Sequence, residues 1–273
     1  MVEKERIAFI GAGAMAEAIM EGLIKTKKCN ANLITIKNRN NTERVKELHY
    51  KYGVMPASTI EEAVTDADII ILAVKPKDAM DAVKGLKPFI RKNQLLISVM
   101  AGISTHTLTE WIKNENPLIR AMPNTSAAIG HSATALSAGR FATAEHVEKS
   151  LELFETIGTV TLVPEEKLHI VTGLSGSGPA YIYYVAEAMQ KAAEELSLSH
   201  EEAKTLISQT LLGASLMLKQ TSESPIELRK KVTSPGGTTE AGIGKLDQYQ
   251  VQDAFLACIK KAVKRSEELG SVN

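Results

Sequence analysis

The residues best suited to chemistry lie far from the start of the chain, in Lys231-Val232-Thr233-Ser234-Pro235-Gly236-Gly237-Thr238-Thr239. Pro235 fixes one torsion, Gly236 and Gly237 admit conformations other residues resist, and an apolar-periodic segment opens at Thr238 or Thr239. Such a turn aims consecutive N–H groups and hydroxyls at one point. At a helix start, unpaired donors and the macrodipole both favour negative charge, so the expected chemistry is binding of a small anion. An ordinary N-capped loop uses the same residue types, so the rest of the chain must decide. A second run, Gly173-Leu174-Ser175-Gly176-Ser177-Gly178-Pro179-Ala180-Tyr181, puts three glycines before a helix that Pro179 can start. These glycines suit close approach to a cofactor or to a partner chain. Neither run follows a strand, as a triphosphate-binding loop must.

A third glycine run stands near the start. The apolar stretch Arg6 to Ile10 ends in Gly11-Ala12-Gly13-Ala14-Met15-Ala16, after which Ala16, Ile19, Met20, Leu23 and Ile24 repeat at helical spacing. That is strand, glycine turn and helix, the dinucleotide-binding arrangement: Gly11 for the tight turn, Gly13 for approach to a pyrophosphate, Ala16 for close packing, with Ala14 and Met15 at the helix start. The second strand, Leu33 to Lys37, should end in an acid if it is to bind the ribose of NAD, yet the chain continues Asn38-Arg39-Asn40-Asn41, with Arg44 beyond. Arginines there welcome a 2′-phosphate, so the expected cofactor is NADPH, with NADH as the lesser alternative. Strands Asp68 to Val74 and Leu95 to Met100 should present their ends, Ala73-Val74-Lys75-Pro76 and Ala101-Gly102, to the same cofactor. Lys75 reads equally well as a surface lysine. Asn124, after strand Leu118 to Ala121, reads as a loop-bridging residue or an active-site one.

The elements that must position these residues fall into two patterns. Up to Thr159 to Val163, short apolar runs alternate with helical stretches at 59–64, 77–86 and 145–156, the rhythm of a mainly parallel sheet covered on both faces. From Val163-Pro164-Glu165 onward, 3.6-residue periodicity takes over, at 181–196, 204–217, 225–232 and 251–269. The expected fold class is therefore α/β: a Rossmann-type doubly wound domain at 1–163, then an all-helical domain at 164–273. Several of these helices are apolar on more than one face, which calls for a second copy of the chain. Lys and Arg number 32 against 32 Asp and Glu, so no basic field invites nucleic acid or a membrane surface. Cys29 and Cys258 show no CxxC spacing and the six histidines no HExxH, so no metal is expected. With neither a signal-type nor a spanning apolar run, the expectation is a cytoplasmic protein with a small-molecule substrate.

Together the motifs Gly11 to Ala16, Ala73 to Pro76, Arg120 to Asn124, Thr172 to Tyr181 and Val232 to Thr239 resemble the Δ1-pyrroline-5-carboxylate reductases, in the right order over essentially the whole chain. The resemblance implies NADPH-dependent reduction of a cyclic imine to L-proline, a helical dimerisation domain, and a homodimer as the basic unit of a larger oligomer. It implies that Ser234, Gly236, Gly237 and Thr238 bind the substrate carboxylate, and that Thr239 addresses the ring nitrogen, facing a nicotinamide across a dimer interface. Glu165 falls at the nicotinamide end or on the surface. Lys231 is a departure, standing where the family often has Asn. The 3-hydroxyacid dehydrogenases share the two-domain plan, but they carry a catalytic lysine where this chain has Ile182. Two rivals remain, a reductase of another cyclic imine and an NADPH-binding regulatory protein without turnover.

Overall fold

The computed structural model describes residues 2–271. The four residues Ile7–Ile10 form β1 and are buried throughout, as a strand covered on both faces must be. Helix α1 (Ala14–Lys25) follows, packing Ala16, Ile19, Met20 and Leu23 into the core. Next come β2 (Ile34–Lys37), α2 (Thr42–Tyr52), the two-residue β3 (Met55–Pro56), α3 (Ile60–Val64) and β4 (Ile69–Leu72). They are followed by α4 (Ala79–Leu86), β5 (Leu95–Ser98), α5 (Thr105–Ile112), β6 (Leu118–Met122), β7 (Ser132–Ala138), α6 (Ala144–Glu155) and β8 (Gly158–Leu162).

The eight strands make one sheet in the order β3-β2-β1-β4-β5-β6-β7-β8. Neighbours are parallel except β6 and β7, which run antiparallel. The first six strands have the 3-2-1-4-5-6 order of the doubly wound fold, whose direction of winding reverses between β1 and β4. One apolar layer lies on each face: Phe9, Ile19, Ile36, Ile71 and Phe154 pack on one side, Ile10, Ile70, Leu72, Val83 and Leu108 on the other. The crevice above the β1 and β4 ends is where such a sheet takes its ligand.

After β8 the described residues hold no further strand. The helix α7 (Leu168–Val171) runs into a π-helical turn, Thr172–Gly176, and then α8 (Gly178–Glu195). The glycine run at 173–178 is thus a widened helical path instead of a loop, and Asn124 Nδ2 donates to Ser175 O within it at 3.0 Å. Helices α9 (His200–Gln220), α10 (Pro225–Lys231), α11 (Thr238–Gln248) and α12 (Val251–Ser271) complete the chain.

The molecule divides into two compact units. One runs to Ser177 and takes in the chain again from Lys261; the other is Gly178–Lys260. In the second unit, Ala203 is the one buried residue, while Tyr184, Leu196, Leu206 and Met217 stand in the open. Three of its helices begin on side-chain caps or a reach-back glutamate: Ser199 with Glu202, Ser224 with Glu227, and Glu240 on Gly236. Local capping therefore shapes helices that have almost no core of their own.

Candidate active site

Gly11 is held between two strand ends. Its φ is +117°, its N–H donates to Lys37 O at 2.8 Å, and a Cβ there would stand 2.4 Å from Ala73 O. Only glycine fits. Gly13 differs: it caps α1 with ordinary φ −76° and no side-chain cap, and a Cβ there would meet nothing within 4 Å. The open space, with the N–H groups of Ala14, Met15 and Ala16 at the helix start, suits a pyrophosphate. Glu17 N is the first to find a helical partner, Gly13 O at 3.0 Å. Ala16 is fully buried beneath the turn.

Beyond β2, Asn38 Oδ1 accepts from the N–H groups of Asn40 and Asn41, and Asn41 Oδ1 caps α2 by accepting from Arg44 N at 2.9 Å. The two arginines separate in role. Arg44 pairs with Glu17 and Glu47 and donates through Nε to Ala12 O at 3.3 Å, bracing the glycine turn. Burial raises the Glu17 carboxyl, but bonds from Lys51, Tyr52 and Arg44 outweigh it and hold the carboxyl below its ordinary range. Arg39 keeps an exposed guanidinium, paired at 2.9 Å with the equally exposed Asp81. Of the two, it is the one whose guanidinium is exposed at the end of β2.

Across the switch point, Val74, Lys75 and Pro76 leave β4, with Lys75 exposed and its Nζ without a hydrogen-bond or ion-pair partner among the described residues. Beyond β5, Ala101 and Gly102 form a loop. Gly102 (φ +80°) lies so close to Gly270 of α12 that a Cβ on the latter would come within 2.9 Å of Gly102 O. Glu165 sits behind this loop with its acceptors in use. Oε1 accepts from Thr105 N at 2.7 Å and from Arg120 Nη1 at 3.3 Å, and Oε2 accepts from the Thr105 hydroxyl. Arg120, in the middle of β6, is 3% exposed and its Nη2 has no partner among the described residues. Burial lowers its pKa, and Glu165 counters only part of that. Arg120 and Thr105 were not singled out as site residues from sequence. The signal for Arg120 was an arginine inside an otherwise apolar strand, which demands a buried acceptor.

In the second unit, Ser234 to Gly237 is a type II β-turn: Pro235 takes the first central position, Gly236 (φ +72°) the second, and Gly237 N–H donates to Ser234 O at 3.0 Å. A Cβ on Gly237 would press on Ser234 O at 3.0 Å. Gly237 is also the N-cap of α11 and offers no side chain to it. The first α11 N–H with a main-chain partner before the helix is Ala241, to Gly237 O, so those of Thr238 and Thr239 are open beside three hydroxyls, Ser234, Thr238 and Thr239. The Gly236 N–H is taken by Glu240 Oε2 at 2.7 Å. Lys231 pairs with Glu223, bridging the two ends of α10. Among the described residues no three His, Cys, Asp or Glu gather as a metal site, and no helix is long and apolar enough to cross a membrane.

The chain is 46% identical to pyrroline-5-carboxylate reductase 2 of Bacillus subtilis (strain 168), over 97% of its length and 95% of that protein. The chain belongs to the pyrroline-5-carboxylate reductase family. The family's dimerisation domain matches residues 165–269, and a coenzyme F420-dependent NADP oxidoreductase domain matches residues 6–102. The solved pyrroline-5-carboxylate reductase of Coxiella burnetii superposes with a TM-score of 0.91 at 35% identity, covering 98% of this chain and 99% of that one. The Plasmodium falciparum pyrroline carboxylate reductase, solved with NADP bound, gives 0.88 at 26%, covering 99% and 100%. The chain thus pairs a dinucleotide-binding type of fold in its first unit with a glycine-shaped turn that opens a helix in its second.

Proposed function

We propose that this chain reduces 1-pyrroline-5-carboxylate to L-proline with NADPH, and that the Ser234–Thr239 turn holds the substrate. The observation that carries the reading is the turn itself: a glycine-shaped β-turn opening a helix whose first N–H groups are unpaired, in a stretch that also carries the hydroxyls of Ser234, Thr238 and Thr239. The relatives named above support it. Bound in the cradle, NADPH supplies the hydride, and the fit is good: open space at Gly13, helix-start donors at Ala14, Met15 and Ala16, and no acid at the end of β2. Asn38 and Arg39 take the adenosine end; Ala73 to Pro76, Ala101 and Gly102 line the rest.

The Ser234 hydroxyl and the N–H groups of Thr238 and Thr239 bind the carboxylate. Gly237 N–H is engaged inside the turn, so Gly236 and Gly237 contribute shape. The Thr239 hydroxyl holds the proton at the ring nitrogen. A protonated imine is already an electron-poor hydride acceptor, so the protein's task is placement more than acid–base work. Ile182, where the hydroxyacid dehydrogenases carry a lysine, supports this reading over an alcohol dehydrogenation. We place the functional boundary at 163/164, just past Leu162 of β8, and the reaction in the cytoplasm. The exposed apolar faces of α8 and α9 are covered by a second copy, which makes the homodimer the basic unit.

Purified protein should oxidise NADPH only when pyrroline-5-carboxylate is present; retained NADPH binding with no such turnover overturns the reading. Thr239→Ala should lower kcat about tenfold to a hundredfold, at or below the low end of general acid–base contributions because the task is mainly placement, with Thr239→Ser keeping most activity; steady-state kinetics check this. Arg39→Asp should move the NADPH:NADH ratio of kcat/KM at least tenfold toward NADH, since a charge-assisted bond is worth about 1.5–3 kcal/mol. An unchanged ratio would show that Arg39 does not read the phosphate.

A further inference from the structure

Glu240 lies four residues past Gly236 and its carboxylate accepts the Gly236 N–H at 2.7 Å, across the turn assigned above to the substrate. That N–H belongs to the central peptide of the β-turn, Pro235–Gly236. Turning this peptide over converts type II into type I, and the two differ chiefly in the sign of φ at the second central residue. Most residues would settle the matter by steric exclusion. Glycine accepts either sign, so Gly236 leaves the choice open, and a Cβ at that position would meet nothing within 4 Å that could impose one. Proline at the first central position is equally compatible with both turns. Something outside the turn must therefore fix the peptide. Glu240 can, because the peptide presents a donor to its carboxylate in one state and a carbonyl oxygen, repelled by that carboxylate, in the other.

We propose that Glu240 is a positioning residue for substrate binding: it holds the Pro235–Gly236 peptide in the type II orientation, and so sets Gly237 and the open N–H groups of Thr238 and Thr239 where the substrate carboxylate meets them. The proposal rests on the reading of this turn as the substrate site. Glu240 does not touch the substrate in this account. It sits at the third position of α11, from which a glutamate ordinarily reaches back to the capping residue's own N–H. Here it reaches one residue further, to the turn. The Gly236 to Thr239 stretch thereby becomes one hydrogen-bonded unit with Gly237 N–H closing on Ser234 O. A free carboxylate entering from solution then finds donors already aimed, with no peptide to reorient.

The test compares Glu240→Ala and Glu240→Gln in the full-length enzyme. A glutamine amide oxygen still accepts from Gly236 N–H, so the two variants separate the hydrogen bond from the rest of the side chain. Glu240→Ala should raise KM for pyrroline-5-carboxylate at least tenfold with kcat and NADPH affinity within twofold of wild type, and Glu240→Gln should restore KM to within about threefold. Amide exchange at Gly236, followed without substrate, should be protected in wild type and Glu240→Gln and fast in Glu240→Ala. A merely destabilised helix would not give this split, nor a rescue confined to the acceptor. Ser234→Ala serves as the reference arm. If Ser234→Ala raises KM while Glu240→Ala leaves it unchanged, the positioning role is overturned and the substrate turn stands. If neither changes KM, the substrate reading of the turn falls, and the role of Glu240 with it. Equal KM in the alanine and glutamine variants, both raised, also overturns the proposal.

Discussion

Gly13→Ala and Gly11→Ala, two residues apart in one motif, should fail in different ways. Gly13→Ala should leave the melting temperature within a degree or two and weaken NADPH binding at least tenfold. Its φ is ordinary and its Cβ would meet no protein atom, so the fold loses nothing; the methyl instead stands in the space proposed for the pyrophosphate. Gly11→Ala should damage the fold itself. Its φ of +117° costs an ordinary residue about 1–3 kcal/mol, and the methyl would stand 2.4 Å from Ala73 O, a main-chain atom that cannot swing aside. Overpacking adds roughly 1–3 kcal/mol, so the melting temperature should drop by on the order of 10 °C. Calorimetry and NADPH titration on both variants separate the cases. A Gly13→Ala protein with unaltered NADPH affinity would remove Gly13 from the cradle.

That contrast marks how far the sequence could be read. The spacing Gly11, Gly13, Ala16 after an apolar run identified strand, turn and helix, because only glycine satisfies such a turn and only a small residue lets the helix sit close. The same spacing gives Gly11 the turn and Gly13 the ligand; what it does not show is which atoms hold Gly11, since Ala73 lies far along the chain. The buried parallel strands announced themselves as continuous Ile and Leu runs, with observed ends trimmed, as in Ile69–Leu72 against the expected Asp68 to Val74. The two-residue β3 is too short to leave a pattern, and α2 and α5 went unmarked because polar and β-branched residues fill them. The reversal between β6 and β7 is fixed by a connection through a 3-10 turn at Thr125–Ile129, which no periodicity records.

The candidate site was legible where chemistry depends on neighbours in sequence, and obscure where it depends on neighbours in space. Pro235-Gly236-Gly237 reads directly as a turn, whose type follows from Gly236 at φ +72°. Sequence puts Arg39 ahead of Arg44 as a phosphate reader without giving a reason in space; packing supplies one, with Arg44 occupied by Glu17, Glu47 and the Ala12 carbonyl. Lys231 drew notice as a departure, and the structure gives it a local partner in Glu223. Glu165 was read as a nicotinamide contact or a surface residue. Three hydrogen bonds to its carboxylate support a different proposal, a brace behind the loop at Ala101 and Gly102.

Glu165→Ala should therefore damage both the fold and the cofactor side of the site. It leaves the Arg120 guanidinium buried with neither its acceptor nor an escape to water, and leaves Thr105 N–H unpaired at the start of α5. Removing one member of a buried pair costs about 3–5 kcal/mol, and the quarter exposure of Glu165 places this case near the lower end. A loss of about 3 kcal/mol should lower the melting temperature by roughly 6–12 °C. Because Thr105 follows the Ala101–Gly102 loop directly, the surviving folded fraction should also bind NADPH more weakly. Pairing Arg120→Met with Glu165→Gln provides the control: the buried charge is gone and the glutamine oxygen still accepts from Thr105 N–H. If the damage arises from an uncompensated guanidinium, the double variant should be more stable than Glu165→Ala alone, a non-additivity that a double-mutant cycle reads directly. Should Glu165→Ala melt within 2 °C of wild type, Arg120 is solvated by some other route, and Glu165 is released to act at the cofactor itself.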